Sequence, residues 1–423
     1  MIPSTSFRLL CRSSKRVVFV MLAMISATTI WAQDAVRPSL AGEAASEARR
    51  QDVDRLPYNL MAGPVRFRVS ATMGVEYNDN INYAEVNEQE DVILHPQVNL
   101  NAIWPITQIN TLTLDIGLGY SIYLDHSEAN TNGILISPQS QVAFDIFVGD
   151  FRINLHDRFS LQQDPIAEPV VSNSVDYGRF ENTIGTSVLW DLNKVVLTLG
   201  YDHYTYISTT DNFEYLDRNA EELMGTAQLA VSSTTNVGVE TYFVHNYYDE
   251  NILNDSDTFS VGAFVDSQIT NNLRARVAGG YQMIDFDNSG LVADFTDVED
   301  YYVNLLLTHR INSAIRQTIS AGHENQLGVN SNSIRLNYVR HTVTWNIIRN
   351  TLLSTEFFYE DANESGGFID EHLHRYGGAI TLGYQLTPHV TLGLRYQYTQ
   401  KESDVPLRDY EQNRVSLDGT YSF

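Results

Sequence analysis

The segment Glu371-His372-Leu373-His374 carries two imidazoles at positions i and i+2. On a β-strand that spacing sets both rings on one face, where they could share a metal ion. Two histidines beside a polar loop are also an ordinary surface feature, and that reading is preferred, so neither a metal nor any other cofactor is assigned. Serine, histidine and aspartate are scattered over many polar stretches, and no spacing singles out a nucleophile–base–acid set, although such a set can assemble in space from distant positions. No glycine-rich phosphate loop stands between a strand and a helix.

A second group of charges recurs in a different pattern. Arg66, Arg68, Arg152, Arg158, Arg274, Arg276 and Arg395, together with Glu76, Asp115 and Asp145, occupy the polar positions of segments with alternating polarity. If those segments cross a membrane as strands, the polar positions face a lumen, because an arginine on the lipid face at mid-depth costs about 2–4 kcal/mol. Two roles are open to them. They can form cross-strand ion pairs that brace the wall, or a charged ring that screens passing solutes.

Either role needs a wall of strands. Val65, Phe67, Val69, Ala71, Met73, Val75 and Tyr77 alternate with Arg66, Arg68, Ser70, Thr72, Gly74 and Glu76. Leu112, Leu114, Ile116, Leu118, Tyr120 and Ile122 alternate with Thr111, Thr113, Asp115, Gly117, Gly119 and Ser121. This period of two continues to Phe423. Eight short connections, such as Gly149-Asp150 and Arg349-Asn350, alternate with nine longer polar ones, such as 78–90, 164–176, 326–332, 361–371 and 400–410. The pattern predicts an all-β, antiparallel up-and-down barrel of about 18 strands, with both chain ends on the short-turn side. Sixteen is the alternative count. Residues 333–347 change apolar phase as at a β-bulge, and Pro96 removes a ladder donor from 91–104. Strands of about ten residues suit a tilted bilayer crossing better than a sandwich or propeller.

The rest of the chain agrees with a membrane barrel. Arg8, Arg12, Lys15 and Arg16 precede an apolar run from Val17 to Ile30, which reads as a signal peptide over residues 1–32. Cys11 is the only cysteine and falls before that run, so the mature chain is expected to have neither a disulfide nor a lipidated thiol. The formal charge of −25 becomes more negative once the four basic residues are removed, which argues against a nucleic-acid partner. No later apolar run is long enough for a helical span. Residues 33–64 read as a short solvated periplasmic arm, and 65–423 as the barrel.

Trp104, Trp190 and Trp345 each close a strand just before a short turn, while Tyr77, Tyr120, Tyr201, Tyr301 and Tyr398 fall toward the long-loop ends. Two such bands are what amphipathic rings form at membrane boundaries. The long connection 164–176, with Pro165, Pro169 and the apolar pair Val170-Val171, is the candidate for a loop that folds inward and narrows the lumen. The last strand sets Val415, Leu417 and Tyr421 on its outward face and ends on Phe423. That combination resembles the terminal signature read by the bacterial outer-membrane barrel assembly machinery.

The first hairpin reads Gly74-Val75-Glu76-Tyr77-Asn78-Asp79-Asn80-Ile81-Asn82, then Asp91-Val92-Ile93-Leu94-His95-Pro96-Gln97-Val98. It resembles the opening of the outer-membrane β-barrel porin family known as β-barrel porin type 2, in which a Tyr-Asn/Asp-Asp-Asn segment precedes an aspartate and a proline-bearing strand. The likeness is sharp over 65–100 and architectural beyond. It implies a channel, and some members are associated with exopolysaccharide export. Read from the residues alone, Asn78, Asp79 and Asn80 are turn formers at a strand exit.

The expectation is therefore a non-enzymatic outer-membrane channel of a Gram-negative bacterium for diffusion or export of hydrophilic solutes, with saccharides as the class favoured by the resemblance. Its expected partners are outer-membrane lipids and lipopolysaccharide, the assembly machinery and polysaccharide export components. The rival is a structural or interaction barrel whose acidic loops, such as 85–91 and 361–371, bind cations, lipopolysaccharide or a secretion partner.

Overall fold

Alternating polarity from Val65 onward resolves into eighteen antiparallel strands that close into a barrel. The computed structural model describes residues 58–131, 133–348 and 350–423. The expected signal segment and residues 33–57 of the expected arm lie outside the described residues. The strands are β1 (Val65–Asn78), β2 (Asp91–Pro105), β3 (Thr111–Gly119, resuming at Ile122–Tyr123) and β4 (Leu135–Ile136, then Gln141–Val148). They continue with β5 (Phe151–Gln162), β6 (Arg179–Asp191), β7 (Val195–Ser208), β8 (Arg218–Ala230) and β9 (Thr235–Tyr248). Next come β10 (Ser256–Thr270), β11 (Leu273–Phe286), β12 (Val298–Arg310), β13 (Ile315–Leu327) and β14 (Ser331–Ile348). The wall ends with β15 (Thr351–Gly367), β16 (Glu371–Gln385), β17 (Val390–Ser403) and β18 (Tyr410–Ser422). Each strand pairs with the next in the chain, and β18 returns to β1 from Ser70↔Ser422 to Asn78↔Arg414.

The fold is turned inside out relative to a water-soluble domain. On β1, Met73, Val75 and Tyr77 are exposed while Gly74 and Asn78 on the opposite phase are buried. On β7, Leu199, Tyr201 and Ile207 are exposed while Asp202, Tyr204, Tyr206 and Ser208 are buried. The apolar phase faces out all around the wall, as a lipid-facing belt requires. Trp104, Trp190 and Trp345 stand exposed at the short-turn end of that belt, with Trp190 stacked on Phe151 at 5.4 Å.

Where β18 stops, the lower part of β1 would be left with an open edge. A three-residue strand, Leu60–Ala62, takes up that pairing through Leu60↔Phe67 and Ala62↔Val65. Between the two, the Asn59 side chain donates to the Val69 carbonyl at 2.7 Å and accepts from its N–H at 3.0 Å. The described end of the expected arm is thus part of the wall, and the seam has its backbone groups satisfied, which an edge beside lipid requires.

Pro96 lies opposite Tyr120, which donates to its carbonyl but receives nothing back, and β3 is interrupted at that point. The expected bulge over 333–347 is absent where the apolar phase changes: β13 and β14 stay in one register from Ile315↔Trp345 to Leu327↔Ser333, and the register shift of β14 against β15 falls at its far end, between Asn346 and Ile348. Ile334 and Leu336 are apolar on the inward phase because loops inside the barrel bury them, so the pattern changes without a change of register. The expected loop 361–371 is mostly strand, since β15 runs to Gly367 and leaves three residues before β16. Likewise 326–332 shrinks to 328–330 between β13 and β14.

Candidate channel lumen

All ten charged residues singled out from the sequence lie on the inward phase. Arg66, Arg68 and Glu76 share the face of Gly74 and Asn78, and Arg158 shares that of Asn154 and His156. Cross-strand partners neutralise most of the others. Arg152 pairs with Asp145 at 3.1 Å, Arg274 with Asp266 at 2.5 Å, Arg276 with Glu240 at 2.9 Å and Arg395 with Glu356 at 3.9 Å. Asp115 takes amide partners, Asn101 and Gln141, in place of an arginine. Among the described residues, Arg66, Arg68 and Arg158 have no carboxylate within ion-pair distance.

The connection between β5 and β6, residues 163–178, enters the lumen. Asp164 caps a short 3₁₀ turn, Pro165–Ala167, by accepting from the Ile166 N–H at 2.9 Å, and proline fits the first helical position. From there the loop reaches inward-facing side chains well round the wall. Arg375 of β16 donates to the Ile166 carbonyl at 2.7 Å, and Lys401 of β17 donates to the Val170 carbonyl at 3.2 Å and the Ser172 hydroxyl at 3.0 Å. Arg414 of β18 grips Asp164 at 2.6 and 3.1 Å, and Tyr83, from the loop after β1, donates to the same carboxylate at 2.5 Å. Burial by itself would raise the Asp164 pKa, but the Arg414 charge together with the hydrogen bonds from Arg414, Tyr83 and the Ile166 N–H outweighs it and holds the carboxylate down at about 2.

Those basic anchors are themselves held. Glu360 bridges Arg340 at 3.1 Å and Arg375 at 2.6 Å, and Glu371 takes Lys401 at 2.8 Å and Arg408. Above the anchors lies an apolar cluster of loop and wall residues. Val170, Val171 and Tyr177 of the crossing loop pack with Leu216, Leu253 and Val292 of three other long loops, and with Ile334, Leu336, Ala362 and Leu373 on the wall. Val170 and Val171 are 1% and 4% exposed, and a fully buried valine is worth about 1.5–3 kcal/mol. Set against a thermal energy of about 0.6 kcal/mol, two such contacts plus the Asp164 fork make the crossed position the resting one.

Among residues of this cluster and the wall beside it a cavity of about 140 Å³ remains. Tyr177, Tyr204, Tyr206, Tyr242 and Tyr302 line it together with Glu181, Arg218, Asn246 and Glu324. Arg218 lies over the Tyr206 ring at 4.7 Å, and the Tyr206 hydroxyl donates to that of Tyr177 at 3.0 Å.

The inward arginines and the in-folding loop were legible in the sequence; Tyr83, Glu360, Arg375, Lys401 and Arg414 were not, since their partners lie far along the chain. Val415, Leu417, Tyr421 and Phe423 are exposed on the outer face of β18. His372 and His374 lie on the outer face of β16, away from the lumen.

Comparison with known proteins gives the following. The family described as "Putative beta-barrel porin 2" matches residues 56–423. No curated protein matches. Among solved structures, a BenF-like porin from Pseudomonas fluorescens Pf-5 aligns over 84% of this chain and 99% of its own at 12% identity and TM-score 0.50. The outer membrane protein OpdK of Pseudomonas aeruginosa aligns over 84% and 99% at 11% identity and TM-score 0.49. OccK2 (OpdF) of the same organism, solved in complex with glucuronate, aligns over 84% and 98% at 11% identity and TM-score 0.48.

Proposed function

The chain belongs to this β-barrel porin family, and from that premise we propose that it is an outer-membrane channel for hydrophilic saccharides, admitted past the loop that crosses its lumen. The observation that carries the reading is the tyrosine-lined cavity beside the crossing loop. A sugar ring presents apolar C–H faces and a rim of hydroxyls. Tyrosine rings meet the first, and carboxylates, amides and phenols meet the second. The pairing of Arg152, Arg274, Arg276 and Arg395 with carboxylates leaves little net field at those positions, which suits neutral or weakly charged solutes. Export of exopolysaccharide is one form of this function, with the crossing loop displaced by an export partner.

Single-channel recording of the purified barrel in a planar bilayer tests it. Stable steps that oligosaccharides block from one side support a saccharide channel; steps indifferent to every saccharide offered reject that class. A second reading has its own support. The apolar cluster spans loops from around the rim, as in a barrel that is shut and works through its outer surface. A folded, inserted barrel that stays silent with the crossing loop deleted would favour it.

A further inference from the structure

On the outside of the barrel, β15 and β16 bring three metal-ligating side chains together. Asp361 stands directly opposite His374 in the ladder, and His372 follows two residues before it on the same face. The Asp361 Oδ2 atom lies 3.1 Å from His374 Nδ1 and 3.4 Å from His372 Nε2, and the ligand atoms of all three lie within 4.8 Å of one another. We propose that Asp361, His372 and His374 form a binding site for a divalent transition-metal ion, of which zinc is the best match.

Distance supports this choice. Zinc bonds of about 2.0–2.1 Å at the tetrahedral angle set neighbouring ligand atoms about 3.3 Å apart. The two carboxylate–imidazole separations fall on either side of that value, and a rotation of the imidazoles brings the third into range. Ligand type points the same way: two imidazoles and one carboxylate suit zinc and its first-row neighbours, whereas calcium and magnesium take oxygen ligands.

The ligands are also oriented by their neighbours, as ligands in metal sites are. Asn337 of β14 donates to Asp361 Oδ1 at 3.2 Å, leaving Oδ2 for the ion. The His372 backbone N–H is tied to Asp404 at 2.9 Å, and the Tyr359 hydroxyl, 3.1 Å from His374 Nδ1, makes the contact that the ion would replace at that nitrogen. Glu402 of β17 stands across from His374 in the ladder and accepts from Tyr376 and Gln400. All three ligands are partly exposed, so an ion reaches them from solvent.

The same outer face carries a built-in comparison. His203–Glu221, His245–Asp257 and His323–Asp300 are pairs at 3.0, 2.8 and 3.1 Å, the first two lying in one row because Glu221 also faces His245 across the ladder. Among the described residues, only the β15–β16 cluster gathers three ligands.

Isothermal titration of zinc chloride into the folded, detergent-solubilised full chain tests the site, with folding of each variant checked by heat-modifiable migration on gels. One equivalent should bind. His372→Ala and His374→Ala should each weaken binding at least about tenfold, Asn337→Ala should weaken it in the range of about 10–100-fold, and His245→Ala should leave it unchanged. Equal binding by the His372→Ala/His374→Ala double variant overturns the proposal, as does no uptake by the native chain at millimolar zinc. If a variant does not fold, the cobalt(II) spectrum of the native protein decides: imidazole-ligated bands support the site, and the spectrum of the aquated ion refutes it.

Discussion

Arg414 donates to both carboxylate oxygens of Asp164, at 2.6 and 3.1 Å, although the two residues are 250 positions apart. A two-pronged contact of this kind is among the stronger and more directional in proteins. Because β18 is also the strand that closes the barrel against β1, the fork fastens the crossing loop to the seam. Tyr83 and the Lys401 contacts surround it with further anchors.

Releasing that fastening should open the lumen. Asp164→Ala combined with Val170→Ser removes the fork and one buried valine, and mean single-channel conductance should rise. Deletion of 164–176 should go further and speed the swelling of loaded liposomes. An unchanged swelling rate after deletion would show that the loop is not the constriction.

Acid should act late. The folded Asp164 pKa of about 2 lies below the unfolded value of about 3.9, so the stability this carboxylate lends is complete above pH about 3.9 and disappears as pH falls through about 2. Conductance at pH 4.5 should match that at pH 7 and climb only as pH 2 is approached. Opening between pH 6 and 5 would assign the gate to another group.

Selectivity should follow the arginines that have no carboxylate partner. Replacing Arg66, Arg68 and Arg158 together by alanine should move the reversal potential in a salt gradient toward cations. Removing the Arg152–Asp145 pair as Arg152→Ala/Asp145→Asn should leave it in place, since the pair contributes little net charge. Identical potentials for the triple variant and the native chain would confine these arginines to bracing.

Burial sorts the ion pairs by their worth to stability. Glu360 is fully buried between two guanidiniums, and Glu360→Gln should cost about 3–5 kcal/mol by leaving cations without their counter-charge. Arg274 is 59% exposed, and Arg274→Ala should cost about 0–1 kcal/mol. Denaturant unfolding of the refolded barrels measures both, and equal losses would contradict the ranking.

Phe423 is 51% exposed on the outer face. We propose that it acts in assembly rather than in the finished wall, so Phe423→Ala should refold in detergent as the native chain does yet reach the membrane in lower yield in cells. Equal yields in cells would remove it from the assembly signal.

The wall was legible in the sequence because one face of every strand meets lipid, and that imposes a period of two. Legibility failed where lipid stops. The upper part of β15, Asp361-Ala362-Asn363-Glu364-Ser365, is polar on its outward phase and carries both Ala362 and Glu364 inward, so it reads as loop. With Asp361 assigned to a loop, the histidine pair lacked its third ligand. Ile334 and Leu336 misled in the opposite way, being apolar toward the inside because the crossing loop and its neighbours fill the mouth there. Val170-Val171 betrayed the in-folding loop, since an apolar pair just after Pro165 and Pro169 in a polar connection needs somewhere to be buried. Its anchors stayed hidden, because Arg375, Lys401 and Arg414 look like any other inward charge until the fold brings them to it.

The seam has a further consequence, for the order in which the molecule is made. Every strand from β1 to β18 finds its partner in the next stretch of chain, save at the seam, where the hydroxyls of Thr72 and Thr420 meet at 2.9 Å across 348 residues. Hairpins between neighbours can form in any order from local contacts, whereas joining β18 to β1 must wait for the whole sheet. Loop-closure entropy grows only with the logarithm of length, so this last step costs about 3–4 kcal/mol more than closing a neighbouring hairpin. The nine-residue ladder from Ser70 to Asn78 offsets that excess. Until it zips, the growing sheet carries two open edges, and the Leu60–Ala62 strand and Asn59 are the pieces placed to cover the last of them.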